Sequence, residues 1–486
     1  MTTDSRSRIF AAIAKLGSAN FVEIVLRIGR VKLLAMLFGP VGIGILGLYT
    51  SIIQTFASAA ALGLGESSVR LLAGHHQNPV AVWRVQAVLL IAGGLQALLV
   101  ALMLLLFSDQ LAAVFFDVAG ISQPIGVIVP LLGAGLVLTV LGQFMRYILQ
   151  SQRRISSLAW AMGFSAALGT TAMITCILVL GTSGIIYGVV ALLLCDNLVK
   201  AYIIFRASRL SVRRLLRFVL SAEFWRKWWD LFQMGYAIVL SVSFALGAML
   251  FLRAMILDKL GLEYVGYFQA GFLIATVYLM YLISAMEAEF TPRLSQTVKA
   301  QAPVDGIINE QMQILLAIGG PVLIALIGAT DLVLTLLYDA SFRPAVEMLQ
   351  WMLLGSLVLL PTWPLRFLFI TTKQAAVINT VTIVRNVTFV AVSWTLFAPF
   401  GLVGVGIAFG SFTLLVAAIL IGFSYRLHHF RFESASLWFY AAFLGISVMV
   451  MGLARWDSIY GLCAAAVLAP AMGLICLRQI THGKHG

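Results

Sequence analysis

The stretch VQAVLLIAGGLQALLVALMLLLF occupies residues 85–107 and contains no charged residue. A helix needs about 20 mostly apolar residues to cross the hydrocarbon core of a bilayer, so this run is long enough to span it. The whole chain has the same character: 61% of its 486 residues are hydrophobic, 10% are charged, and the mean hydropathy is +1.01. About a quarter of the residues in a soluble domain are charged. The composition therefore predicts an all-α polytopic membrane protein and excludes a string of soluble domains.

Further apolar stretches bring the predicted number of transmembrane helices to about fourteen. Their length and their lack of period-two alternation exclude a transmembrane β-barrel. The predicted spans are 12–37, 42–69, 85–107, 125–148, 156–180, 184–205, 231–257, 265–290, 310–337, 345–371, 375–398, 402–424, 436–454 and 458–477.

The distribution of basic residues predicts that both termini are cytoplasmic. Of the 32 Lys and Arg residues, 23 fall in segments on the same side as the N-terminus. The opposite segments hold only Lys259, Arg343 and Arg455. Basic residues accumulate in cytoplasmic loops, so topology accounts for the net charge of +13 and no nucleic-acid partner is needed.

Short motifs recur at an offset of about 220 residues. GPVGIG at 39–44 corresponds to GLEYVG at 261–266, ESSVR at 66–70 to EFTPR at 289–293, Arg146 and Arg153 to Arg366 and Lys373, and GTSG at 181–184 to GLVG at 401–404. Each copy of the repeat contains six predicted helices. Because six is an even number, the two copies run in the same direction through the membrane, as in several transporter folds. The predicted organisation is an N-terminal lobe (1–205), a cytoplasmic amphipathic linker (206–230), a C-terminal lobe (231–427), and two extra helices with a cytoplasmic tail (428–486).

The linker has basic and aromatic residues in a helical pattern. Arg209, Arg213, Arg214 and Arg217 are three or four residues apart, and Trp225, Trp228 and Trp229 follow them. This pattern predicts an interfacial helix. A positively charged linker with aromatic anchors and a specific site for anionic lipid headgroups are both compatible with it.

Six basic residues lie inside predicted spans, where each costs about 2.5–3.5 kcal/mol at the centre of a helix. They are Arg27, Arg30, Lys32, Arg253, Arg366 and Arg385. Such residues are expected to face the interior of the bundle or a wet cavity. Glu23 lies four residues before Arg27, and Asp196 four before Lys200, so these pairs can neutralise each other along one helix face.

Four of these arginines, and Arg146 near the end of its span, have no acidic residue three or four positions away. The four are Arg30, Arg253, Arg366 and Arg385. Because Arg146 and Arg366 are repeat-equivalent, the two lobes are expected to line a shared central cavity with guanidinium groups. Guanidinium binds phosphate through a planar fork, so such a cavity suits a phosphate-bearing substrate. Interhelical bridges to Glu66, Glu287 or Glu289 are the alternative role of these arginines.

The sequence contains no HExxH, GxSxG or GxxxxGK[ST] motif, so it predicts no enzyme, metal or cofactor. The four cysteines are isolated in apolar runs and predict neither a metal site nor a disulfide. The sequence does not identify the energy source, and with no nucleotide motif it is compatible with coupling to an H⁺ or Na⁺ gradient. The candidate titrating residues are Glu23, Glu66, Asp196, Glu287 and Glu289.

Four stretches resemble O-antigen translocases, the Wzx-type flippases of the multidrug/oligosaccharidyl-lipid/polysaccharide (MOP) superfamily. They are LAMLFGPVGIGILGLYTSIIQ (34–54), GLGESSVRLLA (63–73), YVGYFQAGFLIATVYLMYLISAMEAEFTPRLSQ (264–296) and LLYDASFRPAVEMLQWMLLG (336–355). The resemblance covers about residues 10–425. Family members often have twelve helices, and the extra pair at 436–477 is similar to fourteen-helix relatives such as the lipid II flippase.

The resemblance implies two six-helix lobes around a central cavity that opens alternately to each side of the bacterial inner membrane. It implies an undecaprenyl-diphosphate-linked oligosaccharide as substrate, in O-antigen or related polysaccharide biosynthesis, with polysaccharide polymerase machinery as a partner. Relatives carry basic residues for the diphosphate in helices that match those of Arg30, Arg146, Arg253 and Arg366, and Arg27 and Arg385 are further cavity candidates.

Three other functions compete with a flippase. A multidrug or cation exporter of the same superfamily would need acidic residues in its cavity, whereas the intramembrane charges here are mainly Arg. A membrane glycosyltransferase or polymerase would need a loop domain or a catalytic carboxylate pair, and the outer loops are short. A scaffold protein would not need buried arginines at repeat-equivalent positions.

Overall fold

The computed structural model describes residues 3–73, 79–116, 125–151, 155–181, 184–208, 218–219 and 221–482. Within these ranges every regular element is a helix, which confirms the predicted all-α membrane class. Eleven helical segments of the described chain are long and apolar enough to cross a bilayer. The chain divides into two compact units, Met1–Leu262 and 263–486, which are described separately below.

The first unit contains eight helices in its described part, several packed lengthwise. α6 lies along α7, α5 packs against both α3 and α7, and α1 packs against α6. The helices are α1 (Thr3–Ala61), α2 (Leu64–Ala73), α3 (Pro79–Leu106), α4 (Ser108–Leu111), α5 (Ile125–Ser151), α6 (Ile155–Leu180), α7 (Gly184–Ser208) and α8 (Ala222–Leu260).

The second unit is built around α11, which packs against the C-terminal helices α16 and α17, and around the pair α13 and α15. A π-helical turn, Leu273–Val277, joins α9 to α10. The helices are α9 (Leu262–Phe272), α10 (Tyr278–Lys299), α11 (Asp305–Gly328), α12 (Thr330–Leu337), α13 (Val346–Leu359), α14 (Trp363–Thr371), α15 (Ala375–His428), α16 (Ser434–Trp456) and α17 (Ser458–His482).

Two helices are too long for a single crossing. α1 has 59 residues and α15 has 54, so each would extend about 80–90 Å if straight, against a hydrocarbon core of about 30 Å. Each breaks at a glycine with non-helical backbone, Gly39 in α1 and Gly401 in α15, and so contains two predicted spans. The predicted span 265–290 is divided between α9 and α10 and is not among the eleven. The count of fourteen therefore stays a prediction.

The turn glycines support the internal repeat. Gly39 and its repeat equivalent Gly261 have φ values of 59° and 95°, and Gly181 and its equivalent Gly401 have 62° and 53°. Only glycine adopts this half of φ/ψ space readily. The glycines of these recurring motifs therefore also share a positive φ. The recurring motifs and the shared backbone conformation both support two parallel repeats.

The start of α8 is attached to the first unit by polar contacts. Arg84 of α3 forms an ion pair with Glu223 at 2.5 Å. With the Gln96 amide oriented to satisfy both neighbours, its nitrogen donates to the Ala60 carbonyl at 3.1 Å and its oxygen accepts from Trp228 Nε1 at 2.8 Å. The cost of leaving such amide groups unpaired in an apolar setting favours this geometry.

The sequence repeat and the packing assign α8 to different halves of the protein. The repeat assigns its sequence to the second lobe, whereas its packing against α1, α2 and α3 places it in the first unit. Of the predicted linker, residues 222–230 form the first turns of α8, while 209–217 and 220 lie outside the described residues. The lobe boundary at 206–230 remains a prediction, because sequence symmetry and packing are different criteria.

A close backbone approach holds α8 against the junction of α1 and α2. A Cβ atom at Gly63 would lie 2.6 Å from the carbonyl oxygen of Gly235, and one at Gly235 would lie 2.5 Å from the carbonyl oxygen of Gly63. Real Cβ atoms do not come this close, so both positions require glycine. Small residues at such crossings are how membrane helices maximise van der Waals contact.

We expect Gly235→Ala to lower the melting temperature of the detergent-solubilised protein, because overpacking costs about 1–3 kcal/mol. Gly247→Ala is the matched control on the same helix, since a Cβ there meets nothing within 4 Å. The control should melt at or above the wild-type temperature, since Ala is the better helix former by about 0.5–1 kcal/mol. Equal melting temperatures for the two variants would contradict the close approach.

The C-terminal helices are attached to the second unit by a buried amide. Asn309 of α11 is fully buried; its Nδ2 donates to the Arg431 carbonyl at 3.0 Å and its Oδ1 accepts from the Glu433 amide at 3.0 Å. One turn further along, Gln313 donates to Ser436 Oγ at 2.9 Å. These bonds hold the segment between α15 and α16 against α11.

The opposite end of α16 has a second attachment. Arg455 donates from Nε to Gln350 Oε1 at 3.3 Å, and its guanidinium lies 5.3 Å from the centroid of the Trp351 ring. Cation–π contacts of this kind contribute about 0.5–1 kcal/mol or more. Arg455, one of three basic residues predicted on the outer side, therefore has a structural role.

We expect Asn309→Leu to accelerate trypsin cleavage at Arg431, because the segment between α15 and α16 loses both hydrogen bonds, worth about 1–3 kcal/mol together. Asn386→Leu is the matched control: Asn386 is 2% exposed, and among the described residues its amide donates within its own helix, to the Thr382 carbonyl at 2.8 Å. The control should leave cleavage at Arg431 unchanged. An unchanged cleavage rate in Asn309→Leu would show that the Asn309 amide does not hold the segment between α15 and α16.

Candidate functional site

The structure places the predicted arginines on three helices of the first unit and two of the second, with different burial. In the first unit Arg27 and Arg146 are exposed, Arg30 is half-buried, and Arg253 is buried. In the second unit Arg366 and Arg385 are half-buried. Exposure near an apolar helix end allows a long basic side chain to reach the interface, whereas Arg253 at 6% exposure is held inside its unit.

One predicted local pair is confirmed in α7. Lys200 Nζ lies 2.8 Å from Asp196 Oδ2, four residues apart on one helix face. The neighbouring Asn197 donates to Thr139 Oγ1 of α5 at 3.0 Å and to the Leu193 carbonyl at 2.9 Å. This polar layer is internal to the first unit, so Lys200 is neutralised as the sequence indicates. The side chains of Glu23 and Glu66 lie outside the described residues.

Three charged residues of the second unit, Glu287, Arg366 and Arg385, lie near one another. The guanidinium of Arg366 lies 5.1 Å from the centroid of the Trp363 ring, one turn earlier on α14. Glu287 of α10 attracts Arg366 electrostatically, and Arg366 in turn repels Arg385 of α15. Among the described residues of this cluster, Arg366 therefore lies near both a carboxylate and a second guanidinium group.

A pocket opens beside this cluster. Its wall contains the carboxylate-bearing Glu287, the ring of Trp363, the amide of Gln311 from α11, and the rings of Phe290 and Phe367. The other lining residues are apolar, and the cavity volume of about 10 Å³ is enough for about one water molecule. Glu287, which attracts Arg366, and Trp363, whose ring lies under the Arg366 guanidinium, both line this pocket.

The other predicted carboxylate of α10 has a different role. Glu289 accepts from Arg293 at 3.1 Å, and Arg293 also donates to Glu310 of α11 at 2.8 Å. The hydrogen bond to Glu310, and then that to Glu289, raise the pKa of Arg293 above its ordinary value, so this guanidinium stays charged. Residues two apart point in different directions on a helix, which separates Glu289 from the pocket that Glu287 lines.

The sequence interpretation missed Trp363 and Gln311. Trp363 lies three residues before Arg366, and this spacing places two side chains together on a helix. The signal was therefore present, but only acidic neighbours were considered. Gln311 comes from a different helix, and no local pattern identifies it.

Comparison of the whole structure with solved ones identifies the fold. The lipid II flippase MurJ in an inward closed conformation matches with a TM-score of 0.67 and 12% identity, over 96% of this chain and 99% of that one. An inward-facing multidrug resistance MATE transporter of the MOP superfamily matches with a TM-score of 0.64 and 17% identity, over 85% of this chain and 97% of that one. The chain has the fold of MOP-superfamily transporters.

Other proteins with the MOP fold match less closely. A MOP transporter from Pyrococcus furiosus, described as having a binding pocket of reverse polarity, has a TM-score of 0.54, with 17% identity over 85% of this chain and 95% of that one. No protein-family profile matches the chain, and no curated protein matches its sequence. The MOP fold is therefore established by structure, and the matched proteins named here are transporters or flippases.

Proposed function

We propose that the protein is a flippase that moves an undecaprenyl-diphosphate-linked oligosaccharide, an O-antigen or related repeat unit, from the cytoplasmic to the periplasmic leaflet of the bacterial inner membrane. The observation that carries the proposal is the cluster of Arg366 and Arg385 against the single described carboxylate of Glu287. Its net charge is positive within apolar helices. A diphosphate is the ligand chemistry that such paired guanidinium groups bind through planar, bidentate contacts.

The extent of the structural matches supports a lipid-linked substrate. The lipid II flippase match covers 96% of this chain and the MATE match 85%. The match with a flippase of lipid-linked glycan therefore extends over more of this chain than the match with that MATE transporter.

The first-unit arginines belong to the same proposal. Arg30, Arg146 and Arg253, with Arg27 nearer the end of α1, would form the contacts to the diphosphate on the first lobe, and alternating access would carry it between the two. An H⁺ or Na⁺ gradient would supply the energy, and both termini would be cytoplasmic, as the basic residues indicate. Polysaccharide polymerase machinery is the expected partner on the outer side.

A multidrug or cation exporter is the second candidate, and the fold comparisons support it equally. The observation that favours it is Asp196, whose Oδ1 is buried and accepts no hydrogen bond from a described residue. Its Oδ2, however, is paired with Lys200 at 2.8 Å. A neutralised carboxylate has little remaining attraction for a cation, which is why we place this function second.

We expect alanine variants of Arg30, Arg146, Arg253 and Arg366 to lower translocation of a fluorescent undecaprenyl-diphosphate-linked sugar in proteoliposomes by tenfold or more. Removing one charge-assisted contact costs about 1.5–3 kcal/mol. Arg366→Lys should recover activity only in part, because an ammonium group lacks the planar fork. Arg343→Ala is the control, since Arg343 is exposed, lies in a predicted outer loop and pairs with Asp331 at 3.2 Å.

The same vesicles separate the two candidate functions. Full translocation by both Arg30→Ala and Arg366→Ala would contradict the diphosphate site. Accumulation of an organic cation by the wild type, lost in Asp196→Asn and retained in Arg366→Ala, would instead establish the exporter.

A further inference from the structure

A π-helical turn divides the predicted span 265–290. α9 ends at Phe272, the turn comprises Leu273–Val277, and α10 begins at Tyr278. A π-helical turn contains one residue more than the corresponding α-helical turn, and such turns are a common cause of sharp bends in helices. The two parts of this span are therefore joined where the helix can change direction.

The internal repeat accounts for the additional residue. The offset between equivalent motifs is 222 residues from Gly39 to Gly261 and 223 residues from Glu66 to Glu289. The second copy therefore has one residue more between these motifs, and the π-helical turn lies in that interval. The equivalent residues of the first copy, 51–55, are regular α-helix, so the turn is a difference between the two copies.

The part of the span before the turn is firmly attached to the second unit. Gly271 lies so close to α13 that a Cβ atom there would come within 2.5 Å of Met348 Cε. The buried Tyr338 donates from its hydroxyl to the Ala270 carbonyl at 3.4 Å, and Phe268 is fully buried. α9 is thus fixed by close packing and by a hydrogen bond.

The part after the turn is packed less completely. Phe290 of α10 is buried and its ring lies 6.3 Å from that of Phe367 in α14, but both rings line the cavity of about 10 Å³ between α10, α11 and α14. Near its end α10 is attached to α11 by the ion pair of Arg293 with Glu310, whose side chains are 43% and 25% exposed. Ion pairs that are open to solvent add little stability.

Ser356 of α13 contacts the turn with a hydroxyl that has two acceptors. This buried hydroxyl lies 2.9 Å from the Ala275 carbonyl inside the turn and 2.9 Å from the Met352 carbonyl on its own helix. A serine hydroxyl has one proton to donate, so the two carbonyls compete for it. If the turn moves away, the hydroxyl donates to Met352, and the cost of a buried unpaired donor is avoided. The contact can therefore break and re-form.

We propose that the π-helical turn Leu273–Val277 is a hinge, held in one position by Ser356, about which α10 swings while α9 stays fixed against α13. The inference goes beyond the proposed function, because it identifies a moving part that a flippase and an exporter could both use. From the turn to Gln296, α10 extends about 29 Å, so a swing of about 10–20° would move that end by about 5–10 Å.

The test measures distances between two spin labels by double electron–electron resonance on the full-length protein in lipid nanodiscs, with the four native cysteines replaced by serine. The labels are attached at Ser341→Cys, exposed in the segment before α13, and at Gln296→Cys, exposed on α10. We expect two distances about 5–10 Å apart. The control pair Ser341→Cys/Ala376→Cys, with its second label at the start of α15, should give one distance.

Two changes at the turn should alter these distances in opposite ways. Ser356→Ala should shift the populations at least about threefold away from the distance that this structure has, because the turn loses a buried hydrogen bond. Ser411→Ala is the matched control, since the Ser411 hydroxyl donates to the Ile407 carbonyl of its own helix at 2.9 Å, and it should shift them less than twofold. Deletion of Leu273 should leave a single distance, because the turn becomes regular α-helix.

Unchanged populations in Ser356→Ala, or a shift towards the distance that this structure has, would overturn the hinge. Two distances in the control pair would also overturn it, as would two distances that persist after deletion of Leu273, because the movement would then lie elsewhere, for example at Pro292 of α10. If the deletion variant does not fold, the comparison of Ser356→Ala with Ser411→Ala decides. No substrate is used, so failure of the hinge and failure of the proposed function are separate results.

Discussion

The cost of placing a guanidinium or ammonium group inside apolar helices constrains much of this structure. Each such group is costly in an apolar helix, and the described chain contains three arrangements of them. Lys200 has a carboxylate four residues away on its own helix. Arg366 lies over an aromatic ring and near a carboxylate from another helix. Arg385 adds a second positive charge next to Arg366, which leaves the cluster with a net positive charge. Only the last arrangement creates an attraction for an anion from outside.

The scaffold around these charges depends on glycine. Repeat-equivalent turns at Gly39 and Gly261, and at Gly181 and Gly401, reverse or bend the chain at positive φ. Gly63 and Gly235 allow two backbones to touch. Because lipid offers no hydrophobic driving force between helices, close packing and buried hydrogen bonds supply the association energy. Asn309 has the same purpose at the C-terminal helices, which it attaches to α11.

The sequence predicts what depends on composition and on neighbours along one helix. The all-α membrane fold, the repeat with its turn glycines, and the Asp196–Lys200 pair all follow from period and spacing. The packing of α8 with the first unit does not, because it results from tertiary contacts such as Arg84–Glu223. The different surroundings of Glu287 and Glu289 are partly predictable, since residues two apart cannot share a face. The position of α14 decides which of the two carboxylates lies nearer Arg366, and no local sequence pattern indicates that position.

The central claim is that the charge of the lipid headgroup, recognised by arginines in apolar helices, selects the substrate. Native mass spectrometry of the purified protein with equimolar undecaprenyl diphosphate and undecaprenol measures this selection directly. The account predicts that the wild type retains the diphosphate lipid in clear preference to the alcohol, and that Arg366→Ala/Arg385→Ala loses that preference. Equal retention of both lipids by the wild type, or an unchanged preference in the double variant, would contradict it.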